Sequence, residues 1–183
     1  MPLPLIPIRR INAIDGVPEQ SSKLHAGVTE GTPEDNLFFT YRTRLYNYMY
    51  ELGAIFELQY MYGLRISELL AIKPRDISPR GTIFLKCAKG SENKMIDYPS
   101  LYTFLKNCRA NGKEPFGFIS RHYVYRCYKR MDISFGQMYG TKNAITHQFR
   151  YMKAKDTMEM SNDLEFTAKI MGHKNSKSTK HYV

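Results

Sequence analysis

The sequence predicts a mainly α-helical fold with one small antiparallel β-sheet, which places it in the α+β class. Apolar residues recur every three or four positions through most of the chain after residue 36. A single pair of β-branched or apolar runs flanks a polar, glycine-containing turn. The sequence contains no internal repeat and no low-complexity tract. We therefore expect one folded domain over residues 37–183.

The order of the elements follows from the same patterns. Residues 1–36, rich in Pro, Gly, Ser, Thr and charge, predict a partly flexible arm or linker. Residues 37–62 predict one long helix, or two helices broken at Gly53. Residues 82–88 and 93–98 predict a β-hairpin whose turn contains Lys89, Gly90, Ser91 and Glu92. Further helical segments lie at 66–72, 101–110, 123–131, 146–158 and 164–171, with a short helix or turn at 176–183.

Composition and charge indicate a protein with a single core and a polyanionic partner. The 183 residues are 43% hydrophobic and 13% aromatic, which suffices for one core and excludes a large multidomain enzyme. The formal net charge of +10 and the isoelectric point near 9.5 favour a polyanionic partner, nucleic acid above all. A solvated lysine-rich surface explains the charge equally well. Sequence motifs are therefore needed to distinguish a nucleic-acid partner from a solvated surface.

The cysteines and the N-terminal segment bear on location. Cys87, Cys108 and Cys127 form neither a disulfide framework nor a metal-ligand spacing, and we expect them to be reduced packing residues. Residues 1–8 are apolar but short, and arginines follow them instead of preceding them, so no secretory signal is predicted. No run reaches the length of a membrane span. We expect a cytoplasmic, DNA-associated protein that has no membrane partner.

Arg65 is the first candidate site residue. It lies between apolar neighbours where a helix is predicted to begin, and a cation there opposes the helix dipole. Taken alone, a surface arginine paired with Glu68 at the i+3 position is the simpler interpretation.

The second candidate is the pair His147 and Arg150. Their i, i+3 spacing places an imidazole and a guanidinium on one helical face, where they would hold an anionic phosphate. The alternative is an ordinary solvated basic face, because Lys153 and Lys155 are close in sequence.

The C-terminal residues supply the remaining candidates. Gly172 is predicted to end the helix over 164–171 in the left-handed conformation, which leaves His173 on the following turn. Tyr182 lies one residue from the end of the given chain. Each feature is unremarkable by itself, since helix-ending glycines are common and the sequence has 14 tyrosines.

The order of these motifs is what distinguishes the sequence. The catalytic domain of the tyrosine recombinases, the phage integrase family, shows the same series, and this sequence resembles it over residues 37–183. The motifs that carry the resemblance are Gly-Leu-Arg-Ile-Ser-Glu at 63–68, the lysine-containing hairpin, His147-x-x-Arg150, Gly172-His173 and Thr179-x-x-Tyr182. The resemblance implies the tyrosine recombinase catalytic-domain fold.

The resemblance also implies catalytic roles. Tyr182 would attack the scissile phosphate, form a 3′-phosphotyrosyl link and release a 5′-hydroxyl. Arg65 and Arg150 would neutralise the nonbridging oxygens in the pentavalent transition state. His147 would assist proton transfer or orient the phosphate, and His173 would donate a further hydrogen bond to it.

A hairpin lysine completes the implied set. Lys89, directly before Gly90, best matches the family's lysine that protonates the departing 5′-oxygen, with Lys86 and Lys94 as rivals. A basic hairpin tip that only contacts the DNA backbone is the alternative. Glu68 would orient Arg65 or cap its helix without reacting. The implied chemistry requires no cofactor, no metal and no ATP.

The implied function is site-specific recombination on double-stranded DNA, with self-association from a dimer to a synaptic tetramer. The segment before residue 37 is too short for the family's helical DNA-clamping domain, so we expect weak or partner-dependent binding to a lone site. Only Val183 follows Tyr182, so we expect the usual cyclic assembly to be weakened or altered.

Other interpretations of the same motifs remain open. A type IB topoisomerase or a telomere resolvase uses similar residues on a related scaffold. A noncatalytic DNA-binding protein that keeps the fold is the alternative from another class, and an unrelated basic RNA-binding protein would leave the ordered motifs unexplained. The basic stretch over 121–130 would contact the DNA backbone or form a solvated helix face.

Overall fold

A computed structural model describes residues 32–86, 93–135, 145–173 and 175–181. The described chain is mainly helical with one two-stranded antiparallel sheet, so the predicted fold class is confirmed. The helices are α1 (Pro33–Tyr48), α2 (Tyr50–Tyr62), α3 (Ile66–Leu70), α4 (Tyr102–Ala110), α5 (Arg121–Arg130), α6 (Gln148–Ser161), α7 (Leu164–Met171) and α8 (Ser176–Thr179). The strands are β1 (Ile83–Leu85) and β2 (Lys94–Ile96), and short 3-10 turns lie at Pro74–Asp76 and Pro99–Leu101.

Helix α1 begins inside the segment expected to be an arm. The Thr32 hydroxyl accepts the Asp35 backbone N–H at 3.1 Å, and the Asp35 carboxylate accepts the Thr32 backbone N–H at 3.1 Å. This reciprocal cap satisfies two backbone donors that a helix start otherwise leaves unpaired. Pro33 at the first helical position also fits, because it has no N–H to lose. The helix therefore starts four residues earlier than predicted.

The break in the first helical region lies at Met49, and the prediction of a break at Gly53 is wrong. Met49 is extended, with φ of −162° and ψ of 124°, between α1 and α2. Gly53 lies inside α2, where a Cβ atom would come within 2.4 Å of the Tyr46 ring. The glycine therefore lets an aromatic ring of α1 lie against the α2 backbone.

Helix α2 is the centre of the core. Its residues from 52 to 62 are all buried. The Phe56 ring lies 5.6 Å from the Phe38 ring of α1 and 5.8 Å from the Phe149 ring of α6, centroid to centroid. Aromatic contacts at these separations add to the burial of apolar area. Packing on both sides fixes the C-terminal end of α2, where the candidate site begins.

The predicted hairpin strands are present within the described residues. Ile83 pairs with Ile96 and Leu85 pairs with Lys94, so these four side chains share the buried face of the sheet. The burial of Lys94 was not expected. The turn over 87–92, which includes Lys89, lies outside the described residues.

Helix α7 has the predicted bounds, and the remaining helices follow the predictions with shifted ends. Ser120 caps α5 by accepting the Tyr123 backbone N–H, so α5 starts at Arg121. Helix α6 runs to Ser161 and ends at Asn162, which is left-handed with φ of 50°. Cys108 and Cys127 are free thiols, whereas Cys87 lies outside the described residues. Within the described ranges, no helix is both long enough and apolar enough to cross a membrane.

Replacing Gly53 with alanine tests the packing of α1 on α2. We expect Gly53→Ala to lower the free energy of unfolding by about 1 to 3 kcal/mol, because the new methyl group overlaps the Tyr46 ring. In a Tyr46→Ala background the same change should instead raise it by up to about 1 kcal/mol, since alanine is the better helix former. Urea denaturation followed by circular dichroism measures both, and a stabilising Gly53→Ala in the wild-type background would contradict the packing argument.

Candidate active site

The site begins where α2 ends. Gly63 stops α2 in the left-handed conformation with φ of 63°, and a Cβ atom there would lie 2.6 Å from the Lys153 Cβ atom of α6. The chain then turns directly into α3, with Arg65 at its N-cap position. This turn holds Arg65 beside α6.

Glu68 both caps α3 and holds the Arg65 side chain. One carboxylate oxygen accepts the Arg65 backbone N–H at 2.8 Å, and the other accepts the Arg65 Nη1 at 3.0 Å. The Arg65 side chain is 34% exposed, whereas that of Glu68 is 6% exposed. The guanidinium is thus held on one side by a buried carboxylate while part of it contacts solvent.

Arg150 lies deeper. Its residue surface is 1% exposed. Nη1 donates to the Gly63 carbonyl at 3.1 Å, and Nη2 donates to the Met171 carbonyl at 3.0 Å. Arg150 therefore joins the end of α2 to the end of α7. A solvated basic face on this helix is excluded for Arg150 and also for Lys153, which is buried.

His173 follows the helix end that the sequence predicted. Gly172 ends α7 with φ of 67°. The His173 Nε2 atom lies 3.1 Å from the Arg150 Nη2, and the Nδ1 atom lies 2.9 Å from the Thr179 hydroxyl oxygen. Because a guanidinium only donates, Nε2 acts as the acceptor, and Nδ1 then carries the proton and donates to Thr179.

Burial and neighbouring cations keep both site histidines neutral. Burial and then Arg150, Arg65 and Lys94 lower the pKa of His173 to about 4. Burial and then Arg150, Arg121 and Arg65 lower the pKa of His147. Both shifts have the same origin, since an imidazolium would be poorly hydrated and repelled by the guanidiniums.

Glu68 stays ionised in the same surroundings. Burial acts to raise the pKa of its carboxyl, but Lys94, the Arg65 backbone N–H, Arg150 and the Arg65 side chain together hold it below the ordinary value. The cluster is therefore a set of cations around one carboxylate, a field that favours a bound anion such as a phosphate. Among the described residues, no three His, Cys, Asp or Glu side chains converge as metal ligands would.

The structure brings together four of the six predicted catalytic residues: Arg65, His147, Arg150 and His173, with Glu68 beside them. Lys89 and Tyr182 lie outside the described residues. Of the two rival lysines, Lys86 is exposed and Lys94 is buried.

Three neighbours of the site were not among the predicted catalytic residues or Glu68. Thr179 is wholly buried and contacts His173. Arg121 of α5 acts electrostatically on His147. Lys94 donates from the sheet to the Met171 carbonyl. The alternation of strand positions carried a signal for Lys94, because it lies two residues from the apolar Ile96.

The lowered pKa of His173 predicts a pH effect on stability. The unfolded chain binds the proton near the ordinary value of 6.5, whereas the folded chain binds it only near 4. Protonation therefore favours the unfolded state, and the free energy of unfolding should fall as the pH falls from about 6.5 to about 4. Imidazole NMR of wild type and His173→Gln assigns the titration, and a His173 resonance that titrates near 6.5 would contradict the geometry.

The two arginines should differ in their effect on folding. Arg150→Ala removes the donors to Gly63 and Met171, and we expect the free energy of unfolding to fall by about 2 to 5 kcal/mol. Arg65→Ala should change it by less than about 1 kcal/mol, because its ion pair is partly solvated. Chemical denaturation of both variants makes the comparison, and equal losses would show that Arg150 does not join the two helix ends.

Curated proteins with similar sequences are tyrosine recombinases. The tyrosine recombinase XerC of Vibrio vulnificus is 27% identical over 141 residues, which are 71% of this chain and 45% of that protein. The XerC of Chromobacterium violaceum is 28% identical over 142 residues, 71% of this chain and 46% of that protein. The chain thus spans less than half the length of these curated relatives.

A solved structure shows the same fold. The crystal structure of XerA recombinase superposes with a TM-score of 0.53 at 18% identity, covering 85% of this chain and 58% of that chain. The family model described as the phage integrase family matches residues 40–183, which is most of the chain and includes every predicted catalytic position. The resemblance read from the motifs is therefore confirmed, and the chain belongs to the phage integrase family.

Proposed function

We propose that this chain is the catalytic domain of a tyrosine recombinase, which cleaves and rejoins double-stranded DNA through a 3′-phosphotyrosyl link at Tyr182. One observation carries the proposal. Arg65, His147, Arg150 and His173, which come from three separate segments of the chain, act on one another: Arg150 contacts His173, and both arginines lower the pKa of His147, while the buried Glu68 holds Arg65. The two guanidiniums of this cluster suit the negative charge that develops on a phosphate under nucleophilic attack.

The arginines would stabilise the pentavalent phosphorus. Each guanidinium carries a permanent charge and a planar set of donors that matches two phosphate oxygens. Glu68 holds Arg65, and the carbonyls of Gly63 and Met171 hold Arg150. The donors are therefore oriented before the phosphate binds, so little reorganisation is needed in the transition state.

His147 would assist proton transfer, and His173 would donate a hydrogen bond to the phosphate. A neutral His147 has a basic nitrogen, which suits the transfer of the tyrosine proton. His173 would donate to a nonbridging oxygen once its Nε2 carries a proton. A bound phosphate supplies negative charge next to Arg150 and favours that protonated form.

The position of Thr179 supports Tyr182 as the nucleophile. Thr179 is buried against His173 and precedes Tyr182 by three residues. Three residues span at most about 11 Å of extended chain, so the proposed nucleophile is separated from Thr179 by no more than that length. Lys89 remains our proposed proton donor to the 5′-oxygen, on sequence position alone.

Helix α5 is our proposed DNA-backbone contact. Its basic side chains Arg121, Arg126, Lys129 and Arg130 are exposed, while Val124, Cys127 and Tyr128 are buried. Arg121 contributes to the lowered pKa of His147, which supports a basic face close to the cluster. Site-specific exchange and self-association on DNA, from a dimer to a synaptic tetramer, complete the proposal.

Covalent capture tests the reaction. Wild type and Tyr182→Phe are incubated with a pool of nicked duplexes of randomised sequence, and SDS-stable complexes are recovered and mapped at the DNA ends. We expect wild type to form an adduct on 3′ ends and Tyr182→Phe to form none while it still binds DNA, because phenylalanine has no hydroxyl to attack phosphorus. Tyr50→Phe, a change of an exposed tyrosine at the start of α2, serves as the matched control.

The outcomes separate the alternatives. An adduct that persists in Tyr182→Phe would assign the nucleophile to another tyrosine. DNA binding without any adduct in wild type would favour a noncatalytic protein. Relaxation of any supercoiled DNA would indicate a type IB topoisomerase, and hairpin ends would indicate a telomere resolvase.

A further inference from the structure

Lys94 lies in an unusual position for a lysine. It belongs to β2, faces the same side of the sheet as Leu85 and Ile96, and is only 3% exposed. Removing an ammonium group from water costs several kcal/mol unless partners compensate it. The position therefore demands an explanation beyond a solvated basic hairpin.

One partner of Lys94 is the end of α7. Its Nζ donates to the Met171 carbonyl at 3.3 Å, and the same carbonyl accepts the Arg150 Nη2. The C-terminal end of a helix carries partial negative charge, so both cations are favourably placed there. Two residues further on, the chain reaches His173. Lys94 thus ties the hairpin to the segment that carries a site histidine.

The charge of Lys94 also acts on Glu68, the carboxylate that holds Arg65. Among the groups that lower the pKa of Glu68, it has the largest effect, and it contributes to the lowered pKa of His173. The ammonium therefore lies close enough to influence the Arg65 partner and the His173 ring together. Met95, its neighbour on the strand, points to the opposite face of the sheet.

From this placement we propose that Lys94 is a positioning residue of the active site and not its proton donor. It holds the end of α7, and with it His173, against the hairpin, while its charge stabilises the ionised Glu68 that holds Arg65. The inference rests on the proposed cleavage reaction. It leaves Lys89 and Lys86 as the candidates for the proton donor. The Lys94 ammonium is buried and already donates to a backbone carbonyl, so it supports the fold.

Leaving-group chemistry distinguishes the two roles. When the tyrosine oxygen bonds to phosphorus, the bond from phosphorus to the 5′-oxygen breaks, and that oxygen must take a proton from a general acid. If sulfur replaces the bridging 5′-oxygen, the departing thiolate is stable without the proton. Loss of a proton donor is therefore rescued by the sulfur substrate, and loss of a positioning residue is not.

The experiment measures single-turnover cleavage of matched oxygen and sulfur substrates. Lys94→Met should slow both by about 10-fold or more, as loss of a supporting contact does. Lys94→Arg should retain most of the rate on both, because it keeps a cation that donates to Met171. Lys89→Ala should be slow on oxygen and restored on sulfur. Lys106→Met, which removes an exposed lysine of α4, should match wild type.

A second readout follows the site without cleavage. Arg150, Arg65 and Lys94 are the charges that act on His173, so Lys94→Met should raise the pKa of that imidazole, and Lys94→Arg should not. NMR titration of the histidines measures it. Lys94→Arg also serves if Lys94→Met does not fold, because arginine keeps the charge but is too weak an acid to give up a proton.

Several results would overturn the inference. Rescue of Lys94→Met or Lys94→Arg by the sulfur substrate would make Lys94 the proton donor. Full activity of Lys94→Met, or an unchanged His173 titration, would leave it without a role in the site. Failure of wild type to cleave either substrate would instead reject the proposed function, and the inference with it.

Discussion

The arrangement of the site depends on one buried guanidinium. Arg150 is 1% exposed and donates to the carbonyls that end two helices, at Gly63 and at Met171. Each of these carbonyls directly precedes a turn that leads to a site residue, Arg65 after the first and His173 after the second. A shift of Arg150 would therefore move both sides of the cluster together.

The cations of the site repel one another, and a bound anion would offset part of that repulsion. Cations placed close together repel one another, and burial strengthens the repulsion. Glu68 and the helix-end carbonyls offset part of it. The histidines respond by staying neutral, as the lowered pKa of His173 shows. A bound phosphate would complete the charge balance, and the same positive charges would stabilise the transition state of its cleavage.

Local patterns in the sequence predicted much of this. Helical spacing predicted the fold class, and the family resemblance carried by the motifs implied that Arg150 and His173, which lie in contact, belong to one site. The left-handed end at Gly172 was predicted from glycine alone. The start of α1 could have been read from Thr32 and Asp35, whose spacing suits a reciprocal cap.

The remaining features depend on contacts between distant segments. Gly53 looked like a helix break because its sequence neighbours do not reveal that the Tyr46 ring lies against it. Arg150 looked compatible with a solvated face because the two carbonyls that receive it come from α2 and α7. The burial of Lys94 likewise depends on the approach of α7 to the sheet. Periodicity within a segment carries no information about such partners.

In the proposed reaction, Arg150 stays bound to both helix ends while it receives the scissile phosphate. The most direct measurement is a crystal structure of the Tyr182→Phe variant with a bound duplex that contains its cleavage site. We predict the scissile phosphate oxygens at about 2.7 to 3.2 Å from the Arg65 and Arg150 guanidiniums, with the bonds from Arg150 to Gly63 and Met171 intact. A phosphate bound elsewhere, or an Arg150 that leaves both carbonyls to reach it, would contradict the account.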